Sequence, residues 1–282
     1  MITLTSAEMN TWIAALLWPL TRILGLIAAA PLFGNNAVPV SVKVGLGVML
    51  AAIMAPTIPA LPATDPMSMA GFLIVLQELL IGLAMGFSMR IVFAAIEMAG
   101  EVSSLTMGLG FATLFDPLSS GRSSAVSQFL ALIATMAFLA ANAHLVLLSA
   151  LAESFITLPV SATPMSIGAP LDLARWGARI FSAGLQLSLP IVAALLITNV
   201  ALGILTRAAP QLNLFGIGFP VSLGVGMLVI SLALPYLGTP IQNLFNQGIE
   251  AVRSLPRAGA ARVTAPPAPA PAGNRADGAP NR

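Results

Sequence analysis

The chain has no cysteine, one histidine and one lysine, and only 8% of its 282 residues are charged. The absence of cysteine excludes disulfides, thiolate nucleophiles and cysteine-bound metal or iron–sulfur centres. A single histidine excludes a histidine-based metal cluster built from this chain alone. The scarce and scattered basic residues give no support for nucleic-acid binding. Soluble domains carry about 25% charged residues. The 8% found here, together with a hydrophobic content of 57%, excludes a water-soluble globular protein.

Six long apolar runs occupy most of the chain. A membrane-crossing helix needs about 20 mostly apolar residues. Clusters of proline, glycine, asparagine and aspartate separate the runs, and such clusters end helices. The pattern predicts an all-α polytopic membrane protein with about six hydrophobic helical segments. The runs are residues 12–30, 44–61, 69–96, 126–151, 180–205 and 215–237.

Residues 1–255 are predicted to form the membrane domain. Residues 256–282 are rich in proline, alanine and arginine, and we expect a disordered tail because this composition cannot bury a core. The residues before the first run lack the basic start of a signal peptide, so this run is expected to be retained. Six crossings place both termini on one side, and the arginines of the tail favour the cytoplasm.

Several ionisable side chains fall inside or beside the apolar runs. A charge at the centre of a membrane helix costs about 2.5–3.5 kcal/mol on insertion scales, so such residues are either functional or paired with protein. Residues 90, 97 and 101 share one helix face because of their spacing. We predict polar contacts between subunits of an assembly. The predicted contact residues are Arg22, Glu78, Arg90, Glu97, Glu101, Arg207, Gln211 and Asn213.

Two other classes of function have candidate residues. A secondary transporter would use Glu78, Arg90 and His144 as a site near the middle of the membrane. An intramembrane serine protease would use Ser88 of the Gly86-Phe87-Ser88 triplet with a histidine on another helix. The triplet arises often by chance in a glycine-rich chain, and serine on a small-residue face usually serves packing. We therefore predict no catalytic site, no metal and no cofactor.

The segment between the third and fourth runs differs from a membrane span. Its apolar part, residues 105–115, is about half the required length, which is typical of a re-entrant or buried segment. Non-helical backbone at membrane depth persists only in contact with protein or a cavity. The segment is either a deformable hydrophobic seal or a loop buried for packing. The candidate seal residues are Met107, Leu109, Phe111, Leu114 and Phe115, and the candidate hinge residues are Gly108, Gly110, Asp116 and Pro117.

A set of short motifs in order along the chain resembles the FliR family of flagellar biosynthetic membrane proteins and its type III secretion counterparts. Each motif alone is weak, but the ordered set is specific and covers residues 12–240. The tail lies outside the resemblance. The motifs are Arg22 with residues 30–34 and 38–45, Gln77-Glu78 with Gly82 and residues 86–87, residues 107–117, Asn142 with His144, and residues 207–220.

The resemblance implies a structural subunit of a protein export gate in the bacterial inner membrane, at the flagellar basal body, and no enzyme. Members of this family assemble with FliP- and FliQ-like subunits into a ring whose channel passes unfolded flagellar proteins. FlhB and FlhA are further partners. The family's helices are bent hairpins, and its plug loop corresponds to residues 107–122 here, which agrees with the hydrophobic seal.

Overall fold

The computed structural model describes residues 6–59, 61–62, 64–111, 123–161, 168–209 and 218–260. All regular structure within these ranges is helical, which confirms the all-α prediction. Two short 3-10 turns, Ala55–Thr57 and Leu109–Phe111, accompany the α-helices. The helices are α1 (Ser6–Ala29), α2 (Val40–Met54), α3 (Met69–Thr106), α4 (Ala125–Ala140), α5 (Ala143–Thr157), α6 (Gly168–Gly177), α7 (Arg179–Ala208) and α8 (Phe219–Ala260).

Helices α3 and α8 are much longer than the apolar runs from which they were predicted. They contain 38 and 42 residues. At 1.5 Å per residue they extend about 57 and 63 Å, roughly twice the thickness of a bilayer's hydrocarbon core. Helix α8 continues to Ala260, beyond the predicted domain boundary at residue 255, and residues 261–282 of the predicted tail lie outside the described residues.

Each of the six apolar runs supplies helical structure, but not every run supplies a span. In the described ranges, four segments are long and apolar enough to cross a membrane, or five if α4 and α5 count as one. The apolar part of α1, Ile13–Ala29, is shorter. By length and composition, the described residues therefore supply four or five candidate spans, where the sequence led us to expect six. The four segments are Val40–Thr57, Met69–Thr106, Pro170–Ala208 and Phe219–Ala258.

Asn142 breaks the fourth run into two helices. Its backbone is left-handed, with φ of 53°, a conformation that asparagine adopts more readily than most residues. Helices α4 and α5 therefore meet at an angle of 67°. Before the break, Phe138 of α4 contacts the rings of Phe93 in α3 and Phe245 in α8, with centroids 5.6 and 5.2 Å away. This aromatic cluster joins three helices in the core.

Helix α3 is the centre of the bundle, and its neighbours cover different halves of it. Helix α1 covers the N-terminal half, where Gly82 lies directly against the backbone of Arg22. Helix α7 covers the C-terminal half, where Gly184 lies against the Ala95 carbonyl. At both places a glycine allows the backbones to approach closely. In the most apolar part of α3, 61% of the residues are buried, whereas in the most apolar part of α7 only 17% are buried.

Helix α8 runs antiparallel to α3. Gly248, near the C-terminal end of α8, lies against Met89, and Gly226, near its N-terminal end, lies against Met107. Helix α2 packs on α1, where Gly47 contacts Leu24. These contacts place the end of α3, the start of α8 and the second half of α7 at one end of the molecule.

Candidate functional site

The apolar loop begins where α3 ends. Helix α3 stops at Thr106, and the Met107 amide still donates to the Ser103 carbonyl at 3.0 Å. Gly108 then has φ of 86°, a left-handed conformation that other residues rarely adopt. Gly110 has no such φ. Of the two glycines predicted as hinges, Gly108 is therefore the position at which the chain turns away from the helix.

Met107 is fully buried at this turn. Met107, one of the predicted seal residues, thus has its side chain in the core of this chain, at the base of the loop. Leu109 packs partly against the same cluster. The Phe111 side chain and the predicted residues Leu114, Phe115, Asp116 and Pro117 lie outside the described part of the chain. The cluster around the anchor consists of Met107, Val126, Ile191, Leu195 and Ile230.

The loop returns to the same end of α3. Ser124 caps the N-terminus of α4, and its own amide donates to Oε2 of Glu101 at 3.1 Å. The Ser127 hydroxyl donates to the Glu97 carbonyl at 2.8 Å, and the α4 backbone meets Gly100 closely. A carboxylate beside a helix N-terminus is also favoured by the helix dipole. The two ends of the loop are thus fixed next to each other.

A second polar site lies away from the loop, beside the N-terminal half of α3. Arg22 Nε and Nη2 donate to the two carboxylate oxygens of Glu78 at 2.6 and 2.9 Å, and both side chains are fully buried. The guanidinium also donates to Ser154 Oγ and the Leu158 carbonyl, and it stacks 4.4 Å above the Phe155 ring. These bonds join α1, α3 and α5. The sequence predicted contacts between subunits for Arg22 and Glu78, and in the structure the two side chains pair with each other inside one chain.

The other predicted contact residues have different environments. Arg90 and Arg207 are exposed, on α3 and at the end of α7. Glu97 is half-buried. Among the described residues, no hydrogen bond or ion pair joins any of these three side chains to a partner. Gln211 and Asn213 lie outside the described residues. Arg90 and Arg207 remain candidates for contacts with other subunits.

The transporter site suggested by the sequence is not assembled. Glu78 and Arg90 lie on one helix, about 18 Å apart along its axis. Glu78 is occupied by Arg22, whereas His144 lies beside Phe138, with ring centroids 6.5 Å apart. The contacts therefore place these three residues in separate surroundings.

The protease candidate Ser88 is a packing residue. Its hydroxyl is buried and donates to the Ala84 carbonyl one turn earlier, at 2.9 Å. Its own carbonyl accepts a hydrogen bond from Trp176 Nε1 of α6 at 3.0 Å. This bond fixes α6, a short helix that the sequence analysis missed. In the part of the chain that the structure describes, no group of three or more His, Cys, Asp or Glu could hold a metal ion.

Three further contacts were not predicted from the sequence. The partners of Arg22 are 56 and more residues away, so no local spacing indicates them. An exposed ion pair between Arg253 and Glu153, at 3.2 Å, joins α8 to α5. Gly226, which lies against Met107, follows Ser222 by four residues, and this small-residue spacing is common at contacts between membrane helices. That spacing is a signal that could have identified Gly226.

These features define an all-α polytopic membrane protein whose central helix ends in an anchored apolar loop. The chain belongs to the family described as Bacterial export proteins, family 1, whose model matches residues 13–248. The family predicted from the motifs is thereby confirmed.

The chain is similar along most of its length to flagellar biosynthetic proteins. It is 45% identical over 247 residues to the flagellar biosynthetic protein FliR of Pectobacterium carotovorum subsp. carotovorum, which covers 88% of this chain and 94% of that protein. It is 39% identical to the FliR protein of Escherichia coli (strain K12), with the same coverage. Identity to the FliR protein of Bacillus subtilis (strain 168) is 31%, over 83% of this chain and 91% of that protein.

Proposed function

We propose that this chain is a structural, pore-forming subunit of the flagellar-type (type III) protein export gate in the bacterial inner membrane. It assembles with FliP- and FliQ-like subunits, adjoins FlhB and FlhA, and passes unfolded flagellar proteins without chemistry of its own. Its C-terminal tail lies in the cytoplasm. The proposal is supported by the family and by the names of the relatives. One structural observation carries it: apolar surface is exposed over a greater length than one bilayer covers.

The exposed apolar surface has two parts at different heights. Helix α2, with α1, flanks α3 near Gly82, whereas α7 flanks α3 near Met107. Gly82 and Met107 are about 37 Å apart along the axis of α3. Helix α2 extends beyond the level of Gly82, and α7 extends beyond the level of Met107. In the most apolar part of each span, only 22% of the residues of α2 and 17% of those of α7 are buried. The exposed apolar residues include Val40, Val42, Val48, Met49 and Ile53 on α2 and Phe181, Leu189, Ile197, Val200 and Ile204 on α7.

A hydrocarbon core of about 30 Å cannot cover both surfaces. Apolar patches of this extent in water mark interfaces with other proteins. Neighbouring subunits with apolar helices are therefore needed on at least one half of the bundle. A chain that acted alone, as a transporter does, would leave one of the two surfaces in water.

Mass spectrometry of the mildly solubilised complex tests the assembly. We expect this chain to be recovered with FliP- and FliQ-like subunits, because removal of these partners exposes its apolar faces. The same solubilisation of cells that lack those partners is the control, and it should yield little intact chain. Isolation of the chain as a stable monomer with saturable binding of a small ligand would overturn the proposal.

We further propose that the loop after Met107 seals the closed gate. Its two ends lie beside each other at one end of the bundle, and the residues between them are mostly apolar in sequence from Leu109 to Phe115. Apolar side chains at a constriction exclude water and ions. The seal thus uses the residues between two fixed anchors, while Met107 holds its base.

Deletion of residues 108–115, or replacement of Phe111 and Phe115 by alanine, is expected to raise the leak of ions and small solutes through the assembled gate. The cause is the loss of apolar side chains from the constriction. Membrane conductance of cells that contain the complete complex measures the leak. Phe129→Ala, which removes an exposed phenylalanine of α4 outside the loop, is the control. An unaltered conductance in the deletion variant would count against a seal.

A further inference from the structure

We propose that Gly226 of α8 is a positioning residue, which receives the Met107 side chain and thereby sets the position of the loop. This inference rests on the proposed function, because it concerns the loop that acts as the seal. The contact between Gly226 and Met107 lies within the chain, and it can be measured separately from any leak. The contact joins the last residue before the turn to a helix that is distant in the sequence.

Gly226 makes space for the Met107 side chain. A Cβ atom at this position would lie 2.6 Å from Cγ, 2.7 Å from Cε and 2.8 Å from Sδ of Met107. These three are its nearest heavy atoms, and real Cβ atoms do not approach other atoms so closely. Methionine is unbranched and adaptable, so it fits the shallow space above a glycine. A methyl group at position 226 would thus displace Met107 before anything else.

Displacement of Met107 acts on the loop through the backbone. Up to Met107 the chain is held by the helix, with the amide bonded to the Ser103 carbonyl. The next residue, Gly108, is the left-handed turn. Leu109 then packs against the same cluster, to which Val225 of α8 also contributes. The first loop residues are therefore fixed between α3 and α8, and their position follows that of α8 at Gly226.

The chain offers a matched control two residues away. Gly224 lies on the same helix, and a Cβ built there meets no described atom within 4 Å. Gly224→Ala and Gly226→Ala therefore add the same methyl group and the same gain in helix propensity to α8. Only Gly226→Ala is expected to move the loop.

The absence of cysteine makes the position of the loop measurable. In the intact complex, Leu109→Cys introduces the only thiol of this chain, and its rate of labelling by a water-soluble maleimide reports exposure of the loop base. We expect Gly226→Ala to raise this rate about tenfold, which corresponds to the usual cost of one methyl group added to a filled site. Gly224→Ala should leave the rate unchanged.

A second pair of variants, in which the large side chain is removed from position 107 and a methyl group is added at position 226, distinguishes a specific effect on the loop from a general loss of structure. Met107→Ala alone should also raise the labelling rate, because it empties the space above Gly226. Met107→Ala combined with Gly226→Ala should label more slowly than either single variant, since the new methyl group partly refills that space. A variant that merely damaged the fold would not be rescued in this way. If Gly226→Ala fails to assemble, the comparison of Met107→Ala with the double variant still decides the question.

Equal labelling of the Gly224→Ala and Gly226→Ala variants, or the absence of rescue in the double variant, overturns the inference. If the loop deletion leaks while Gly226→Ala changes neither labelling nor leak, the inference fails and the seal stands. If labelling changes as expected while the loop deletion does not leak, Gly226 positions the loop but the loop is not the seal.

Discussion

Replacement of Glu78 by leucine is expected to destabilise the chain by about 3–5 kcal/mol, the usual cost when one partner of a buried ion pair is removed. Arg22 would keep its charge in a fully buried site, with only the Ser154 hydroxyl, the Leu158 carbonyl and the Phe155 ring as partners. Unfolding of the purified complex in detergent, followed by heat or denaturant, measures the loss. A lower steady-state amount of the chain in cells should accompany it.

The exposed pair of Arg253 and Glu153 provides the control. It also joins two helices, but its side chains are one-third to one-half exposed, so Glu153→Leu should cost no more than about 1 kcal/mol. Removal of both buried charges, in Arg22→Met with Glu78→Leu, should recover part of the lost stability because no unpaired charge remains. Equal losses for Glu78→Leu and Glu153→Leu would refute the structural role of the buried pair.

Gly82→Ala is expected to separate α1 from α3. A Cβ atom at Gly82 would overlap the Arg22 carbonyl oxygen and crowd the Leu26 amide, and neither can move without the whole of α1. Adding atoms to a well-packed core costs about 1–3 kcal/mol when side chains can adjust, so a backbone contact should cost at least the upper end of that range. The shift also draws Arg22 away from Glu78, so part of the ion-pair energy is lost as well.

Limited proteolysis of the assembled complex measures this change. We expect Gly82→Ala to be cut between α1 and α3 faster than the unaltered chain, with cleavage in the connections on either side of α2. Gly45→Ala is the matched control, because a Cβ there meets no described atom within 4 Å and alanine favours the helix by up to about 1 kcal/mol. Equal cleavage of the two variants would show that α1 and α3 can part without cost.

The sequence predicts the helices well because hydropathy is a local property, and it predicts their ends poorly for the same reason. The third run ends before Glu97, where charge lowers the hydropathy, yet α3 continues for nine residues after it. The Glu101 carboxylate reaches the Ser124 amide, and the Glu97 carbonyl reaches the Ser127 hydroxyl. Packing against α4 thus extends a helix that composition alone would end. Asn142 has the opposite effect, since one left-handed residue divides an uninterrupted apolar run.

In the site as well, features set by neighbouring residues could be predicted from the sequence, whereas contacts between distant residues could not. Gly108, one of the predicted hinge glycines, has a left-handed backbone of the kind that glycine tolerates. Met107 lies against Gly226, more than one hundred residues later, and no periodicity in the sequence indicates this contact. Arg22 and Glu78 were each recognised as costly charges. Their mutual pairing required the close contact of α1 and α3 at Gly82, which is visible only in three dimensions.

The buried Arg22 network also sets an order of events during synthesis. Glu78 follows Arg22 by 56 positions and Ser154 follows it by 132. At about 5–20 residues per second, the ribosome makes Glu78 roughly 3–11 s after Arg22, and Ser154 roughly 7–26 s after it. Until then the nascent α1 carries a cation with no carboxylate to neutralise it. The final position of α1 is therefore disfavoured, by the cost of an unpaired charge, until α3 has been made.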